Sequence, residues 1–219
     1  MNRIIISDTH IGTKFYRSEQ LLNFLESAEY DELILAGDII DFIKIPVFTQ
    51  RCLKIMESID TKKKIVYVVG NHDESLLSVV GEKLFGIEFF KRYDFVENGR
   101  KFRIEHGDSY DKGVLHNRIF VKILSVFQNM LEFTFNFDFT TWWTNIQIKK
   151  HKLRSVIHIL RQNEDIDVFI MGHTHNPEAL IWVDEDQNIK TYINAGDWVS
   201  HQTYVTVVNG VARLRKFED

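Results

Sequence analysis

The stretch Asp167–His175 reads DVFIMGHTH, an apolar run that ends in two histidines with one residue between them. Its first half, Asp167–Ile170, predicts a buried strand, because a continuous β-branched and aromatic run bounded by glycine suits a covered sheet. Gly172 leaves the backbone free for a tight approach where that strand ends. Because His173 and His175 are two positions apart, both imidazoles can point toward one place. The stretch therefore predicts a strand that delivers two candidate metal ligands.

Three apolar runs earlier in the chain also predict buried strands, each with polar residues just past its carboxyl end. These runs cover residues 3–7, 32–36 and 64–69. Segments with helical spacing separate them, at residues 20–28, after Pro46, and at about 74–85. The helix after Pro46 is predicted to face inward through Val47, Cys52, Leu53 and Met56. Strands that alternate with helices predict an α/β sheet with its functional site along the carboxyl edge.

The pattern changes after residue 94. Residues 95–105 predict a hairpin, because Asn98–Gly99 tolerates the positive φ angles of a type I′ turn. Residues 114–162 have almost no turn residues and predict mostly helix. Further strands are predicted at residues 179–183, 189–193 and 204–208, and a second Asn-Gly turn leads into residues 211–216. We predict one domain over residues 1–219 with a helical insertion at about 114–162.

Composition and charge exclude several classes of protein. The 219 residues are 44% hydrophobic and 26% charged, which is typical of a globular protein. A net charge of -4 gives no reason to expect a nucleic-acid partner. The single cysteine, Cys52, suits a reducing compartment and is expected to be an inert core thiol. Because no window reaches the roughly 18 apolar residues of a spanning helix, we expect a cytoplasmic protein.

Five polar clusters follow predicted strands. Metal chemistry needs oxygen and imidazole ligands held on separate rigid elements, and these clusters supply both kinds of ligand. They are Asp8-x-His10, Gly37-Asp38 with Asp41, Gly70-Asn71-His72-Asp73, His106-Gly107-Asp108 and Gly172-His173-x-His175. Five of the 9 histidines fall in them. The other four, His116, His151, His158 and His201, are expected to be surface or helix residues rather than ligands.

The order D-x-H, G-D-x-x-D, G-N-H-D, H-G-D, G-H-T-H resembles the calcineurin-like metallophosphoesterase superfamily from Asp8 to His175. The resemblance implies an α/β fold, a four-layer α/β/β/α sandwich with an inserted helical cap, and a site for two divalent ions. It implies one ion on Asp8, His10, Asp38 and His175. It implies a second ion on Asp38, Asn71, His106 and His173. Asp38 would bridge the ions, because two neighbouring dications need an anion between them.

This ligand set contains no thiolate and favours Mn²⁺, with Fe²⁺ or Zn²⁺ as alternatives. Two dications would also lower the pKa of a shared water, and the resulting hydroxide would attack phosphorus in line. His72 and Asp41 resemble a supporting His–Asp pair of the superfamily. His72 would donate a proton or hydrogen bond to a phosphate oxygen or the leaving group, with its tautomer fixed by Asp41.

Three aspartates have alternative interpretations. Asp41 could cap the turn after its strand. Asp73 could cap a helix beginning at Glu74 as readily as serve catalysis. Asp108 could accept a hydrogen bond from a ligand histidine.

Two further stretches, residues 106–111 (HGDSYD) and 192–198 (YINAGDW), resemble the UDP-2,3-diacylglucosamine pyrophosphatase branch of the superfamily. The resemblance implies hydrolysis of UDP-2,3-diacylglucosamine to UMP and 2,3-diacylglucosamine 1-phosphate in lipid A synthesis. The candidate substrate-binding residues are Asn71, His72, Asp111, Lys149 and Lys152. His72 departs from the arginine of well-known proteobacterial members. A phosphodiesterase or phosphatase with another phosphorylated substrate is therefore an alternative, and so is a catalytically idle scaffold.

The predicted insertion is rich in aromatic residues. Between residues 120 and 143, 8 of 24 residues are Phe or Trp, against 13% aromatic residues in the whole chain. Lys149, Lys150, Lys152 and Arg154 follow. An aromatic cap with a basic edge fits acyl chains and anionic headgroups, and predicts peripheral contact with the inner membrane face. The inner face of a helical hairpin, or a dimer interface, would produce the same aromatic surplus.

Overall fold

The computed structural model describes residues 1–14, 16–43, 49–110 and 152–218, with residues 152–155 as backbone only. Within that part of the chain, two β-sheets are flanked by α-helices and short 3-10 turns. The strands are β1 Asn2–Ile6, β2 Glu32–Ala36, β3 Lys64–Val68, β4 Lys83–Leu84, β5 Ile87–Phe90, β6 Arg92–Glu97, β7 Arg100–Glu105, β8 Val168–Met171, β9 Glu178–Val183, β10 Ile189–Asn194, β11 Thr203–Val208 and β12 Val211–Lys216. The α-helices are α1 Ser18–Ser27, α2 Gln50–Ser58 and α3 Lys152–Gln162.

The strand order brings the predicted polar clusters to one edge of the molecule. The first sheet runs β12-β11-β1-β2-β3-β5-β4, and the second runs β6-β7-β8-β10-β9. β1, β2, β3 and β5 are parallel, with Ile5 opposite Ile34 and Leu33 opposite Ile65. β7, β8 and β10 are also parallel. Because parallel strands end at the same edge of a sheet, the loops after them lie together.

Alternate side chains of the strands enter separate apolar layers. In β1, Ile4 and Ile6 pack toward α1 and α2, whereas Ile5 lies between the two sheets. On the far side, Ile159 of α3 packs with Phe169 of β8. Each fully buried isoleucine stabilises the fold by roughly 2 kcal/mol through removal of apolar surface from water. The resulting helix, sheet, sheet, helix order confirms the predicted α/β/β/α sandwich.

The helix predicted at about 74–85 is wrong. A 3-10 helix covers only Glu74–Val79, and the chain then forms the antiparallel pair β4–β5. Phe85 and Gly86 have φ angles of 52° and 85°, so the chain reverses in a left-handed turn where the helix was expected to continue. The apolar spacing in this segment therefore reflects one short helical turn followed by two short strands.

The predicted inner face of the helix after Pro46 is only partly correct. Cys52 is buried on α2, as expected, and Ile55 one turn later is buried with it. Leu53 and Met56 are 52% and 45% exposed, because a nine-residue helix at the edge of the layer buries a single narrow stripe. Val47 lies outside the described residues.

Both Asn-Gly hairpins are confirmed. Asn98 and Gly99 connect β6 to β7 with φ angles of 48° and 75°, and Asn209 and Gly210 connect β11 to β12 with 51° and 74°. Of the predicted helical insertion at about 114–162, only residues 152–162 are described, and they form α3. Among the described helices, none combines the length and the apolar character needed to cross a membrane.

Candidate metal centre

Five loops meet at the carboxyl edge of the two sheets, where they follow β1, β2, β3, β7 and β8. Three of their side chains are almost completely buried, with Asp8 0%, His106 1% and Asp38 2% exposed. Burying polar groups of this kind is costly unless something compensates for the lost water. The loops bring together all seven predicted metal ligands, Asp8, His10, Asp38, Asn71, His106, His173 and His175.

Asp8, His10 and His175 form the first group of donor atoms. His175 Nε2 lies 3.1 Å from Asp8 Oδ1 and 3.1 Å from His10 Nε2. His10 Nδ1 lies 3.2 Å from Asp41 Oδ2, which leaves Nε2 of the same ring directed at His175. One ligand atom from each of the three residues falls within 4.8 Å of the others. The group can therefore converge on a single cation.

Asp38, Asn71, His106 and His173 form the second group. His106 Nε2 lies 3.1 Å from both Asp38 Oδ2 and Asn71 Oδ1. His106 Nδ1 lies 3.2 Å from the carbonyl oxygen of Ala36, which only accepts, so Nδ1 carries the proton in the neutral ring. The Nε2 lone pair then faces two oxygen atoms. The ring centres of His106 and His173 are 5.1 Å apart, and Asp38, His106 and His173 offer ligand atoms within 4.8 Å of one another.

Asp38 and His10 connect the two groups. Both residues, together with His72, offer ligand atoms within 4.8 Å of one another. His72 Nδ1 lies 3.0 Å from Asp41 Oδ2, and its Nε2 lies 3.9 Å from Asp38 Oδ2. Asp41 thus contacts both His10 and His72, as a group that orients imidazoles would. Its other oxygen accepts from the backbone N–H of Ile43 at 3.1 Å, so the turn interpretation is also correct.

The backbone of the site adopts strained conformations. Asp8, His10, Asp38, His173 and His175 have φ angles between 46° and 65°. Glycine adopts this left-handed region freely and asparagine and aspartate do so at moderate cost, but in other residues Cβ crowds the neighbouring carbonyl, so the strain is largest at the three histidines. Strain of this kind persists where the surrounding structure holds it in place, and it concentrates at functional sites.

Two glycines allow the loops to approach one another. A Cβ on Gly70 would overlap the Asp38 carboxylate, and a Cβ on Gly172 would overlap Ser7 and Asp8. Neither overlap involves the tip of a long flexible side chain. The glycines of the G-N-H-D and G-H-T-H motifs are therefore required by close packing around the donor atoms.

The electrostatic field at the site is negative. Burial opposes charge on His106, but the Asp38 carboxylate outweighs burial and raises the pKa of His106 to about 10. Burial opposes charge on His175 in the same way, and Asp8 raises the pKa of His175 to about 9. Burial also favours a neutral Asp38, yet His106 holds the pKa of Asp38 well below its usual value. A field that stabilises protons on imidazoles also attracts metal cations.

A model of the calcineurin-like phosphoesterase family matches residues 1–177, which include every residue of the two donor groups. The chain belongs to the calcineurin-like phosphoesterase family. It is therefore a metal-dependent phosphoesterase, and the family match and the clustered donor atoms together indicate a divalent metal site. Among curated protein sequences, no significant match was found.

Solved structures share the fold of this family member at low sequence identity. Vps29 from Chaetomium thermophilum is 10% identical with a TM-score of 0.56, covering 98% of this chain and 88% of that chain. A single mutant of Vps29 from Entamoeba histolytica is 13% identical with a TM-score of 0.50, covering 98% and 97%. Vacuolar protein sorting 29 from Cryptosporidium parvum is 13% identical with a TM-score of 0.50, covering 98% and 95%. At these identities the likeness concerns the fold alone.

The predicted cap role of Asp73 and the predicted histidine contact of Asp108 are both wrong. Asp73 stands before the 3-10 helix, but its carboxylate accepts from the backbone N–H of Gly70 at 2.5 Å and from the Tyr67 hydroxyl at 2.6 Å. Asp73 therefore braces the loop that carries Asn71. Asp108 pairs with Lys91 Nζ at 3.1 Å. It acts on His106 through its charge, not through a hydrogen bond.

Three of the predicted substrate-binding residues cannot be placed at the site. Asp111 and Lys149 lie outside the described residues, and so does the side chain of Lys152, whose backbone begins α3. Asn71 and His72, in contrast, both lie at the centre.

Asn194, Asp197 and His201 lie near the site, although the sequence analysis assigned none of them a role there: the first two belong to the 192–198 resemblance, and His201 was expected at the surface or on a helix. Asn194 is fully buried, and its Nδ2 donates to the Gly172 carbonyl at 2.8 Å and to Thr174 Oγ1 at 2.9 Å. It thereby fixes the loop that carries His173 and His175. The available signal was the position of these residues after a further strand, β10, that ends at the same edge.

Proposed function

We propose that the centre binds two divalent ions that share Asp38, and that it hydrolyses a phosphoester bond. Asp8, His10, Asp38 and His175 would hold one ion, and Asp38, Asn71, His106 and His173 the other. The observation that carries the proposal is the position of Asp38. It lies 3.1 Å from His106 and also offers an oxygen within 4.8 Å of a His10 nitrogen, so one carboxylate reaches both donor groups.

The donor atoms fit divalent ions. Two ligands at about 2.1 Å from one ion and at right angles lie about 3 Å apart, which is the spacing of the four closest donor pairs. These are His175–Asp8, His10–His175, His106–Asp38 and His106–Asn71, each at 3.1 Å. Asp8 Oδ1 is buried without a hydrogen-bond partner among the described residues, as an oxygen reserved for a cation would be. The mixed oxygen and nitrogen set suits Mn²⁺, Fe²⁺ or Zn²⁺.

The side chains of this site divide into ligands and a proton donor. Divalent ions, when bound, supply Lewis acidity and lower the pKa of coordinated water. His72 Nδ1 lies beside Asp41 Oδ2 at 3.0 Å, so its Nε2 is turned toward Asp38 and can donate a hydrogen bond or a proton to a leaving oxygen. Asp41 fixes the tautomer of His72 and stabilises its charged form. Asn71 keeps one amide end on His106 Nε2 and can present its NH₂ group to a phosphate oxygen.

We further propose that the substrate is a nucleotide-lipid pyrophosphate, UDP-2,3-diacylglucosamine, cleaved to UMP and 2,3-diacylglucosamine 1-phosphate. Residues 106–111 and 192–198 support this choice by their resemblance to the pyrophosphatase branch. The aromatic composition of residues 120–143 supports it as well, because a cap of this kind would shelter acyl chains. Asp111, Lys149 and Lys152 would contact the substrate, and the cap would touch the inner membrane face.

Hydrolysis of the lipid with added Mn²⁺ tests both the proposed reaction and the proposed substrate. Purified, metal-loaded protein is expected to release UMP, and Asn71→Ala is expected to lower that rate strongly. If the protein leaves the lipid intact but cleaves bis-p-nitrophenyl phosphate, the lipid is the wrong substrate and phosphoester hydrolysis stands. If it cleaves neither and binds no transition metal, the chain is a scaffold and the proposed function is wrong.

A further inference from the structure

The segment 195–202 connects β10 to β11 and crosses the site at the carboxyl edge. β10 ends beside β8, and β11 begins beside the end of β1. The backbone N–H of Trp198 donates to the carbonyl of Asp8 at 3.1 Å, so the segment is tied directly to the first donor group. Its other end is tied to the loop of His173 and His175 through Asn194, whose Oδ1 accepts from Gly196 N–H at 2.9 Å.

Asp197 is a fully buried carboxylate in this segment, and it fixes the position of a histidine. It accepts from the backbone N–H groups of Val199 and Ser200 at 2.8 and 2.5 Å, and its other oxygen lies 2.5 Å from His201 Nδ1. The His201 side chain is 40% exposed, so the Nε2 edge of a firmly held ring can be reached from outside. The charge of Asp197 also acts on His175, which places the pair within electrostatic reach of the first donor group.

Arg17 brings a cationic side chain to the same segment. Its Nε donates to the carbonyl of Val199 at 3.2 Å, and its backbone N–H donates to the carbonyl of Trp198 at 3.0 Å. Among the described residues, the hydrogen bond of this guanidinium is through Nε, its two terminal nitrogens have no partner, and Arg17 is exposed. Planar guanidinium groups recognise phosphate through paired hydrogen bonds.

On the opposite rim of the site, the cationic side chain of Lys91 is already fully hydrogen-bonded. Lys91 Nζ lies 3.1 and 3.2 Å from the two oxygens of Asp108 and 3.2 Å from the carbonyl of Val69. An ammonium has three protons, and three acceptors already occupy them. Within the part of the chain that the structure describes, the side of the site at Asp8 and His175 therefore offers donors to an incoming anion, whereas Lys91 on the other side does not.

We propose that Arg17, which is hydrogen-bonded to segment 195–202, and His201, which lies within it, form a subsite for a second anionic group of the substrate. The subsite would lie next to the phosphate at the metal centre. This inference rests on the proposed function and identifies the residues that would hold the second phosphate of a diphosphate substrate. A substrate with two linked phosphates would place one at the metal ligands and the other against Arg17 and His201. The charge of the second phosphate would then be neutralised by groups that do not touch the metals.

Binding of UMP and UDP to the Mn²⁺-loaded protein tests the subsite by isothermal calorimetry. The nucleoside is the same in both probes, so the ratio of their dissociation constants isolates the second phosphate. UDP is expected to bind at least tenfold more tightly than UMP to the unsubstituted protein. Arg17→Gln and His201→Gln are each expected to reduce that ratio at least threefold while UMP affinity and metal content stay the same. Glutamine at 201 can still donate to Asp197, so the loop is retained.

Arg161→Gln and His158→Gln are matched controls, because they remove the same side chains from exposed positions on α3. Both controls are expected to keep the UDP to UMP ratio of the unsubstituted protein. The inference is overturned if UDP binds no more tightly than UMP, or if the ratio is unchanged in both Arg17→Gln and His201→Gln. Failure of the proposed function has a different signature, since the protein would then bind neither transition metal nor UMP.

Discussion

The two edges of the sandwich both bury charged side chains, but they differ in how those side chains are paired. At the amino-terminal ends of β1, β2 and β3, Glu32 accepts from Arg3 Nε at 2.6 Å, from Lys64 Nζ at 2.9 Å and from the Tyr93 hydroxyl at 2.7 Å. Arg3 also bonds to Glu97. Every charge in this network has an opposite charge beside it, and each carboxylate oxygen of Glu32 has a donor.

At the carboxyl edge, potential metal-ligand atoms face one another. His106 Nε2 faces two oxygens, His10 Nε2 faces His175 Nε2, and Asp8 Oδ1 has no hydrogen-bond partner among the described residues. The backbone that carries these groups is left-handed at five non-glycine positions. The difference teaches that burial of charge does not by itself identify a site. A cluster of imidazole and carboxylate ligand atoms on a left-handed backbone does, because one cation can contact several of these atoms at once.

Asp38→Asn should cause the largest loss of activity, and it would show most clearly that the carboxyl edge is the functional one. The substitution keeps the shape of the side chain but removes the negative charge that reaches both donor groups. We expect the variant to lose several kcal/mol of transition-state stabilisation, which corresponds to about a 10³-fold or greater fall in kcat/KM. Steady-state hydrolysis of bis-p-nitrophenyl phosphate measures it, with circular dichroism to verify the fold. Retention of more than a tenth of the activity would contradict a bridging role.

Glu32→Gln should lower the stability of the fold and leave the catalytic activity nearly unchanged. Removing the charge takes one carboxylate partner from buried Arg3 and the carboxylate partner from Lys64, which we expect to lower the free energy of unfolding by about 3 kcal/mol. Urea denaturation followed by tryptophan fluorescence measures the change. The kcat per folded molecule should stay within about twofold of the original value. A large loss of kcat with unchanged stability would mean that the two edges have been assigned the wrong roles.

His72→Gln should lower kcat about 100-fold, because general acid or hydrogen-bond donation from a positioned side chain contributes about 10²–10⁴-fold. Metal content should be unchanged, since His72 is placed beside the ligands and not among them. His158→Gln, at an exposed position on α3, is the matched control and should leave kcat unaltered. Loss of bound metal in His72→Gln would instead make His72 a ligand.

Asn194→Ala should have the smallest effect, an approximately tenfold weaker affinity for metal, as expected when a residue that orients ligands is removed. Its amide holds the loop of His173 and His175 at Gly172 and Thr174. Competition with a fluorescent chelator measures the affinity. If affinity is unchanged, the strained conformations of the two histidines are maintained by their own loop.

The sequence predicted the strands that carry the site because their signals are local. Ile4–Ile6 and Val168–Met171 are continuous apolar runs, and each Asn-Gly pair supplies the left-handed turn that a tight hairpin requires. The convergence of the ligands followed from the family resemblance together with the rule that parallel strands end at one edge. No residue pattern alone gives the 3.1 Å contacts between residues as distant as Asp8 and His175.

Predictions failed where a tertiary contact outweighed a local preference. Asp73 was predicted as a helix cap, but its carboxylate accepts from Tyr67 and Gly70, which precede it in the chain, and not from the helix that follows. The helix expected at 74–85 gave way to β4 and β5, because pairing with β3 stabilises an extended chain there. His201 was expected at the surface, and its side chain is indeed 40% exposed. Its contact with Asp197 could not be predicted, because only the folded segment 195–202 brings the two residues together.

The metal content of the purified protein tests the central claim most directly. Mass spectrometry of protein reconstituted with Mn²⁺ and then desalted should find two ions per chain. The Asp38→Asn variant, prepared identically, should hold no more than one. A single ion in the unsubstituted protein, or two ions in both proteins, would contradict a centre in which one carboxylate joins two metals.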